Sequence, residues 1–132
     1  MAKSFPLNKP GFNPFCDLIG LNFATVQDGV SKCSIEVTKQ LLNPHGVVHG
    51  GVLYSMADTG MGAALYSCID SEEICATVQL DIRYFQAVSS GTIYCTTRVL
   101  RMTKKLATLE SEIHNKKNLV AKATATYYIF RV

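Results

Sequence analysis

One stretch constrains the fold more than any other feature: residues 49–68 carry apolar side chains at helical spacing, whereas most other segments alternate with the period of a strand. This pattern predicts a helix roughly 28 Å long at 1.5 Å per residue. Its apolar positions are Val52, Leu53, Met56, Ala57, Gly60, Met61, Ala64 and Leu65. Because this face is wide, one curved sheet cannot cover it completely. A second copy of the chain, packed helix on helix, is the simplest cover.

The segments on both sides of this helix show strand patterns. Alternation over residues 23–38, interrupted by the turn pair Asp28 and Gly29, predicts a hairpin. The apolar positions of the hairpin are Val30, Cys33, Ile35 and Val37. Four longer runs after the helix predict strands at 74–86, 92–102, 106–115 and 119–131. Their connections are short, which favours antiparallel neighbours.

A short helix is predicted over residues 13–21, because Asn13 can cap it and Pro14 suits its first turn. Its apolar face consists of Phe15, Leu18 and Ile19. The element order predicts an α+β fold in which one long central helix is wrapped by a curved antiparallel sheet of about five to six strands. At 132 residues, the chain is expected to form a single domain over 1–132.

Composition narrows the class of protein. Apolar residues make up 48% of the chain and charged residues 17%, which excludes a disordered polymer. A net charge of +3 is too mild for a nucleic-acid partner. Five cysteines without a C-x-x-C pair favour a reducing compartment, and residues 1–15 do not resemble a signal peptide. We therefore expect a cytoplasmic protein with no membrane partner.

The most specific segment is residues 43–51, with the sequence NPHGVVHGG, followed by Asp58 nine residues after His49. This combination resembles the hotdog-fold thioesterases, particularly the phenylacetic acid degradation and 4-hydroxybenzoyl-CoA thioesterases. The resemblance covers nearly the whole chain. It implies an acyl-CoA thioesterase that hydrolyses an acyl- or aryl-CoA to the free acid and CoA. It also implies a homodimer, assembled further into a tetramer, with two equivalent sites across the dimer interface.

Gly50 is the candidate for polarising the substrate carbonyl. A helix N-terminus presents unpaired N–H groups and a positive dipole end, which suit a thioester oxygen that gains negative charge. Gly50 and Gly51 lack side chains and would let a carbonyl approach closely. The resemblance assigns the polarising role to the Gly50 amide, and the alternative is a merely flexible junction between loop and helix.

Asp58 is the candidate catalytic carboxylate. It lies within the helix among apolar residues, where an unpaired carboxylate is expensive to bury. The resemblance makes it the nucleophile or the general base, and the sequence does not choose between these roles. Eight residues separate Asp58 from Gly50, about 12 Å along a helix. One thioester cannot reach both on the same chain, so the site is expected to require the Asp58 of an antiparallel second subunit.

Three further residues complete the candidate site. The resemblance implies that Asn43 orients the substrate or the attacking water, although an asparagine here also serves a turn by bonding its own backbone. His49 could act as a base, whereas the resemblance implies that it orients the substrate or plays a structural part at the helix start. Thr77 matches a position where a hydroxyl helps to place the water, although its β propensity alone explains a threonine in a strand.

Other chemistries find little support in the sequence. It contains no G-x-S-x-G elbow, no Rossmann glycine fingerprint and no P-loop, and we expect no cofactor. His45 and His49 have no nearby partners at ligand spacing, so no metal is expected. Two alternatives remain: a non-catalytic acyl-CoA-binding hotdog module, and a hotdog hydratase or dehydratase. Asp58 argues against the first, and a histidine followed by two glycines fits the second less well.

Overall fold

The structure is a computed structural model that describes residues 6–132. Its elements in chain order are α1 (Pro14–Ile19), β1 (Leu21–Gln27), β2 (Val30–Glu36), a 3-10 turn (Lys39–Leu41), α2 (Gly50–Tyr66), β3 (Glu73–Tyr84), β4 (Thr92–Met102), β5 (Leu106–Asn115) and β6 (Asn118–Arg131). The expectation about a signal peptide falls partly on residues 1–5, which lie outside the described residues.

The six strands form one antiparallel sheet in the order β1-β2-β4-β5-β6-β3. Helix α2 contacts all six strands from one face, so the sheet curves around it. This arrangement confirms the predicted fold class, and six strands is the upper end of the expected number. Strands β1 and β3 are the two edges, and β3 directly follows α2 in the chain.

The core lies between α2 and the concave face of the sheet. Its largest fully buried side chains include Met56, Met61 and Leu65 from the helix and Ile93 and Ile113 from the sheet. Burial of a side chain of this size stabilises the fold by about 1.5–3 kcal/mol. The predicted helix over 49–68 is confirmed with a difference of one or two residues at each end.

A small polar cluster lies under the middle of the helix, where the sequence pattern predicted only apolar positions. The Ser31 hydroxyl donates to the Gly60 carbonyl oxygen at 2.7 Å, and the Thr97 and Ser111 hydroxyls lie 2.6 Å apart. A Cβ at Gly60 would lie 2.9 Å from Thr97 Oγ1, so the glycine lets the helix approach the sheet. In strand β2, Ser31, Cys33 and Ile35 occupy alternate positions and face inward. Val30 precedes Ser31 by one residue and does not face inward, contrary to the predicted pattern.

Helix α1 is shorter than predicted but begins as expected. Asn13 caps it by accepting a hydrogen bond from the Cys16 N–H at 3.2 Å, and Gly20 ends it in the left-handed conformation. Its buried face consists of Cys16 and Ile19. The prediction that Phe15 and Leu18 belong to that face is wrong, since both side chains are exposed: one turn and a half of helix has room for only two inward positions.

The first hairpin closes at the predicted turn. Asp28 and Gly29 both have positive φ, +52° and +78°, as a type I′ turn requires. The Gly29 N–H donates to the Ser67 hydroxyl at 2.8 Å, which ties the hairpin to the C-terminal end of α2. Within residues 6–132, no helix has the length and apolar content needed to cross a bilayer.

Candidate active site

The N-terminus of α2 is held by His49, which occupies the cap position. Its Nδ1 accepts a hydrogen bond from the Gly51 N–H at 2.8 Å, so the ring proton of the neutral side chain is on Nε2. The Gly50 N–H takes part in none of the hydrogen bonds among residues 6–132. It therefore points an unused donor outward at the positive end of a 17-residue helix.

A side chain at either glycine of this junction would come close to a neighbouring side chain. A Cβ at Gly50 would lie 3.3 Å from the ring and the hydroxyl oxygen of Tyr84, and a Cβ at Gly51 would lie 2.9 Å from His49 Nδ1. Tyr84 also donates its hydroxyl hydrogen to the Gly50 carbonyl oxygen at 2.9 Å. The two glycines thus have a packing reason that is independent of any substrate.

The loop before the helix is shaped by Asn43. Its Oδ1 accepts hydrogen bonds from the N–H groups of His45 at 2.9 Å and Val47 at 3.3 Å, and its own N–H donates to the Val47 carbonyl at 2.7 Å. This is the turn geometry that the sequence left open as an alternative. Because the side-chain oxygen already accepts two hydrogen bonds from the loop, only the side-chain NH₂ group remains to bind a substrate. Asn43 can act on a ligand as a donor and not as an acceptor.

The carboxylate of Asp58 is held on one oxygen. The Thr77 hydroxyl donates to Oδ1 at 2.7 Å, and the Tyr127 hydroxyl lies 2.5 Å from the same oxygen. Tyr127 also lies 2.8 Å from the backbone carbonyl oxygen of Asp58. Oδ2 takes part in no hydrogen bond or ion pair among residues 6–132, and the side chain is only half-buried. One oxygen is thus fixed in place and the other remains available.

A β-bulge brings Thr77 to this carboxylate. The pairing of β3 with β6 shifts register between Thr77 and Gln79, which leaves Val78 as an extra residue on β3. The shift changes which alternate residues of β3 face the helix. A regular strand could not direct both Thr77 and the later residues Leu80 and Ile82 towards α2, since odd and even positions point to opposite faces.

Tyr127 is the site residue that sequence reasoning missed. It lies on β6 with its side chain only 3% exposed, between the small inward residues Ala123 and Ala125 and the strand end. Burial raises the pKa of Tyr127 far above its ordinary value, and the hydrogen bond to Asp58 adds to that effect. The phenol therefore stays protonated and donates. A buried tyrosine needs a hydrogen-bond partner for its hydroxyl, so a tyrosine at an inward position of a strand could have indicated a polar group nearby in the core.

The site residues fall into two groups that are separated along the helix. His49 and Gly50 lie at the N-terminus of α2, with Asn43 in the loop that precedes it, whereas Thr77 and Tyr127 contact Asp58, two turns further on. The separation along the helix axis is about 12 Å. Within residues 6–132, no group of three or more His, Cys, Asp or Glu side chains is arranged to hold a metal ion.

Comparison with known proteins identifies the family. Residues 45–122, more than half of the chain, match the model of the thioesterase superfamily. The acyl-coenzyme A thioesterase PaaI of Escherichia coli is 28% identical over 99 residues, which cover 74% of this chain and 69% of that protein. The 1,4-dihydroxy-2-naphthoyl-CoA hydrolase of Listeria monocytogenes is 23% identical over 97 residues, 74% of this chain and 79% of that protein.

Solved structures agree with this match. The conserved protein PA5202 of Pseudomonas aeruginosa superposes with a TM-score of 0.87 and 31% identity, covering 89% of this chain and 94% of that one. The thioesterase HI1161 of Haemophilus influenzae has a TM-score of 0.90 at 18% identity, over 98% and 94% of the two chains, and shows the shared fold. The chain therefore belongs to the thioesterase superfamily and is a thioester hydrolase with the hotdog fold.

Proposed function

We propose that this protein hydrolyses the thioester of an acyl-CoA to the free acid and CoA, with Asp58 as the catalytic carboxylate. The observation that carries the proposal is the hydrogen bonding of that carboxylate: Oδ1 accepts from Thr77 and Tyr127, and Oδ2 accepts no hydrogen bond among residues 6–132. A carboxylate oriented in this way suits attack on, or activation of water towards, a carbonyl carbon. Two relatives whose names specify CoA thioesters support the substrate class.

We further propose that the site is composed of two subunits. Gly50 and Asp58 of one chain are about 12 Å apart, whereas antiparallel pairing of two α2 helices would bring Gly50 of one copy to Asp58 of the other. Strand β3 supports this pairing because it is a sheet edge and most of its residues are exposed. Two such edges can pair and extend the sheet. The tetramer remains a proposal that rests on the family resemblance.

The chemistry follows from the two groups of residues. The Gly50 N–H donates to the carbonyl oxygen of the substrate and stabilises the negative charge that develops there. In one route, Asp58 of the other chain takes a proton from water as the water oxygen bonds to the carbonyl carbon. In the other, Oδ2 itself forms that bond and water hydrolyses the resulting anhydride. In both, the C–S bond breaks and the thiolate of CoA takes up a proton.

The remaining residues position these reactants. The Asn43 NH₂ group donates to the substrate or the water, because its oxygen is already engaged in the loop. Thr77 and Tyr127 hold Asp58 Oδ1, and His49 holds the turn that exposes the Gly50 N–H. The odd number of cysteines and the lack of a C-x-x-C pair support a reducing compartment such as the cytoplasm.

The first test is steady-state hydrolysis of a panel of acyl-CoAs by the wild type, Asp58→Asn and Asp58→Ala. We expect kcat to fall at least about a hundredfold in both variants, as is typical when a general base is removed. Titration of the product acid and CoA into Asp58→Asn checks that binding persists. Unchanged rates in both variants would refute the role of Asp58, and binding without turnover in the wild type would favour a non-catalytic acyl-CoA-binding module.

Isotope labelling separates the two routes. In a single turnover with excess enzyme in ¹⁸O water, activation of water places ¹⁸O in the product acid at once. Direct attack by Asp58 instead transfers an unlabelled carboxylate oxygen when water hydrolyses the anhydride at the aspartyl carbon. Mass spectrometry of the acid after one turnover and after many turnovers distinguishes these outcomes.

A further inference from the structure

A cavity of about 420 Å³ lies beside the C-terminal half of α2, between the helix, strand β1 and the segment that precedes α1. Its lining residues are Leu7, Phe12, Asn13, Phe23, Val26, Thr59, Gly62, Ala63, Tyr66 and Ser67. It contains none of the residues of the candidate active site. The Gly29–Ser67 hydrogen bond at 2.8 Å fixes the end of the hairpin against the helix and so defines one end of the cavity.

The walls of the cavity are suited to hydrocarbon. Leucine, valine, alanine and two phenylalanines line it, and it contains no ionisable acid or base other than a tyrosine. Two of its polar side chains are engaged in the fold: Asn13 Oδ1 accepts from the Cys16 N–H at 3.2 Å, and the Ser67 hydroxyl donates to the Ala64 carbonyl at 2.7 Å. A ligand with charged substituents would lose its hydration here without a charged partner to replace it, and a ligand with several hydroxyl groups would find few partners for them.

The cavity opens next to the catalytic carboxylate. Thr59, Gly62, Ala63 and Tyr66 follow helical spacing and form one stripe of α2, and Gly62 is four residues after Asp58. Residues at this spacing are neighbours on a helix surface, about 5–6 Å apart. A Cβ at Gly62 would meet nothing within 4 Å, so open space lies over the helix at this position. A chain starting at a carbonyl beside Asp58 can pass over Gly62 into the cavity.

We propose that this cavity binds the acyl group of the substrate and that the preferred acyl group is an unsubstituted aliphatic chain of medium length, admitted over Gly62. This inference rests on the proposed function. The volume supports it, because a closed apolar cavity of about 150 Å³ already holds benzene. The cavity is nearly three times as large and extends along the helix. A single aromatic ring would leave much of it empty, whereas a flexible chain fills it.

Chain length provides the first test. With wild-type protein, kcat/KM is measured for saturated acyl-CoAs of two to sixteen carbons and for phenylacetyl-CoA and 4-hydroxybenzoyl-CoA. We expect kcat/KM to rise about fourfold per added CH₂, the equivalent of about 0.8 kcal/mol, until the cavity is full. The hydroxylated aromatic thioester is expected to be the poorer substrate. A flat dependence on chain length, or preference for 4-hydroxybenzoyl-CoA, would overturn the inference.

Two variants fill the cavity from opposite walls. Gly62→Leu adds a side chain at the entrance from α2, and Val26→Phe adds volume from β1. Both are expected to lower the ratio of kcat/KM for the preferred chain to that for butyryl-CoA by about tenfold or more, since at least two methylenes lose their place. Thr108→Leu, which adds the same side chain on the exposed outer face of β5, is the matched control and keeps the wild-type ratio.

The design separates failure of this inference from failure of the proposed function. Binding of S-alkyl coenzyme A thioethers, which cannot be hydrolysed, is measured by calorimetry on the wild type, Gly62→Leu and Val26→Phe. If the affinity rises with alkyl length and is lower in both variants, the cavity binds the alkyl group even if no thioester is hydrolysed. Val26→Phe could instead hydrolyse thioesters with the wild-type ratio of kcat/KM values while keeping the wild-type oligomeric state. That result would contradict the role of the cavity in binding the acyl group and would leave the proposed role of Asp58 unaffected.

Discussion

The hydroxyl of Tyr127 lies 2.5 Å from Oδ1 of Asp58 and 2.8 Å from the backbone carbonyl oxygen of the same residue. One phenol on β6, the strand next to the edge strand β3, thus contacts both the side chain and the backbone of an aspartate in the middle of α2. Thr77 donates to the same Oδ1 from β3. The carboxylate is restricted to one orientation in which Oδ2 faces away from both donors.

Replacing Tyr127 by phenylalanine is expected to lower kcat about tenfold with little change in KM, because the carboxylate loses orientation while the substrate contacts remain. A hydrogen bond to a charged group contributes about 1.5–3 kcal/mol, so the free energy of unfolding at neutral pH should also fall measurably. Steady-state kinetics and urea unfolding check both effects. A large loss of stability together with a large rise in KM would instead indicate that the substitution damages the fold in general.

Alkaline stability gives an independent readout of the same residue. The pKa of Tyr127 is raised in the folded state above its ordinary value of 10.0, so above that pH the unfolded chain releases a proton that the folded chain retains. Stability is therefore complete below about pH 10 and decreases as pH rises, by about 1.4 kcal/mol per pH unit for one proton. The wild type should show this extra slope relative to Tyr127→Phe in urea unfolding between pH 9 and 11. Parallel profiles would contradict the buried, bonded phenol.

Thr77 offers a pair of matched variants. Thr77→Val removes the hydroxyl that donates to Asp58 while keeping a β-branched shape, and it is expected to lower kcat about tenfold with a smaller loss of stability than Tyr127→Phe, because Thr77 is exposed. Thr77→Ser keeps the donor and should retain most of the activity. If the valine variant is as active as the wild type, the Thr77 hydroxyl has no part in the reaction and β propensity alone explains the threonine.

Subunit mixing tests the composite site. Gly50→Pro removes the unused N–H, and proline suits the first residue of a helix after an extended residue such as His49, with φ −59° and ψ 135°. Its Cβ would lie 3.3 Å from the half-exposed Tyr84, which has room to shift. Gly50→Pro and Asp58→Asn are each expected to be nearly inactive as pure proteins.

When the two inactive variants are unfolded together and refolded at equal concentration, half of the dimers should be mixed. Each mixed dimer has one site with both functional groups, so about one quarter of the wild-type activity should return. Mixing without exchange of subunits is the control. If each site belonged to a single chain, no mixture would recover activity, whereas full activity of a monomeric wild type would exclude a shared site.

His49 is tested by separating its capping role from chemistry. His49→Ala removes the acceptor for the Gly51 N–H and should lower the free energy of unfolding by about 1 kcal/mol, whereas His49→Asn supplies another good cap and should restore most of it. Activity should follow stability in this series. Equal and large losses of kcat in both variants, with stability intact in His49→Asn, would show a direct part in the reaction.

Much of the fold could be predicted from local patterns. The single helical stretch, the strands on each side, the Asp28–Gly29 turn and the Asn13 cap depend on side-chain spacing and on local backbone preferences, and the structure confirms each of them. The errors have the same local origin. Phe15 and Leu18 have the right chemistry for a buried face, but whether a face is buried depends on what packs against it.

The site divides in the same way. Asp58 and the loop from Asn43 to Gly51 could be proposed from the sequence, because the motif and its spacing to Asp58 carry the resemblance to the hotdog thioesterases. Tyr127 could not, since it is 69 residues away from Asp58 in the chain and reaches it only because β6 lies next to β3. The β-bulge at Val78 that turns Thr77 towards the carboxylate is likewise a matter of strand pairing.

The sequence alone thus predicted the type of fold, because periodicity and capping act over a few neighbouring residues, and its resemblance to the hotdog thioesterases made Asp58 and the N-terminus of α2 the candidates for the chemistry. Only the tertiary structure decided that one oxygen of the Asp58 carboxylate is held by Thr77 and Tyr127. The same holds for the side-chain oxygen of Asn43, which accepts hydrogen bonds from its own loop, and for the apolar cavity that opens beside Gly62. Those features depend on distances between residues far apart in the chain, which the pairing of strands and the packing of α2 set.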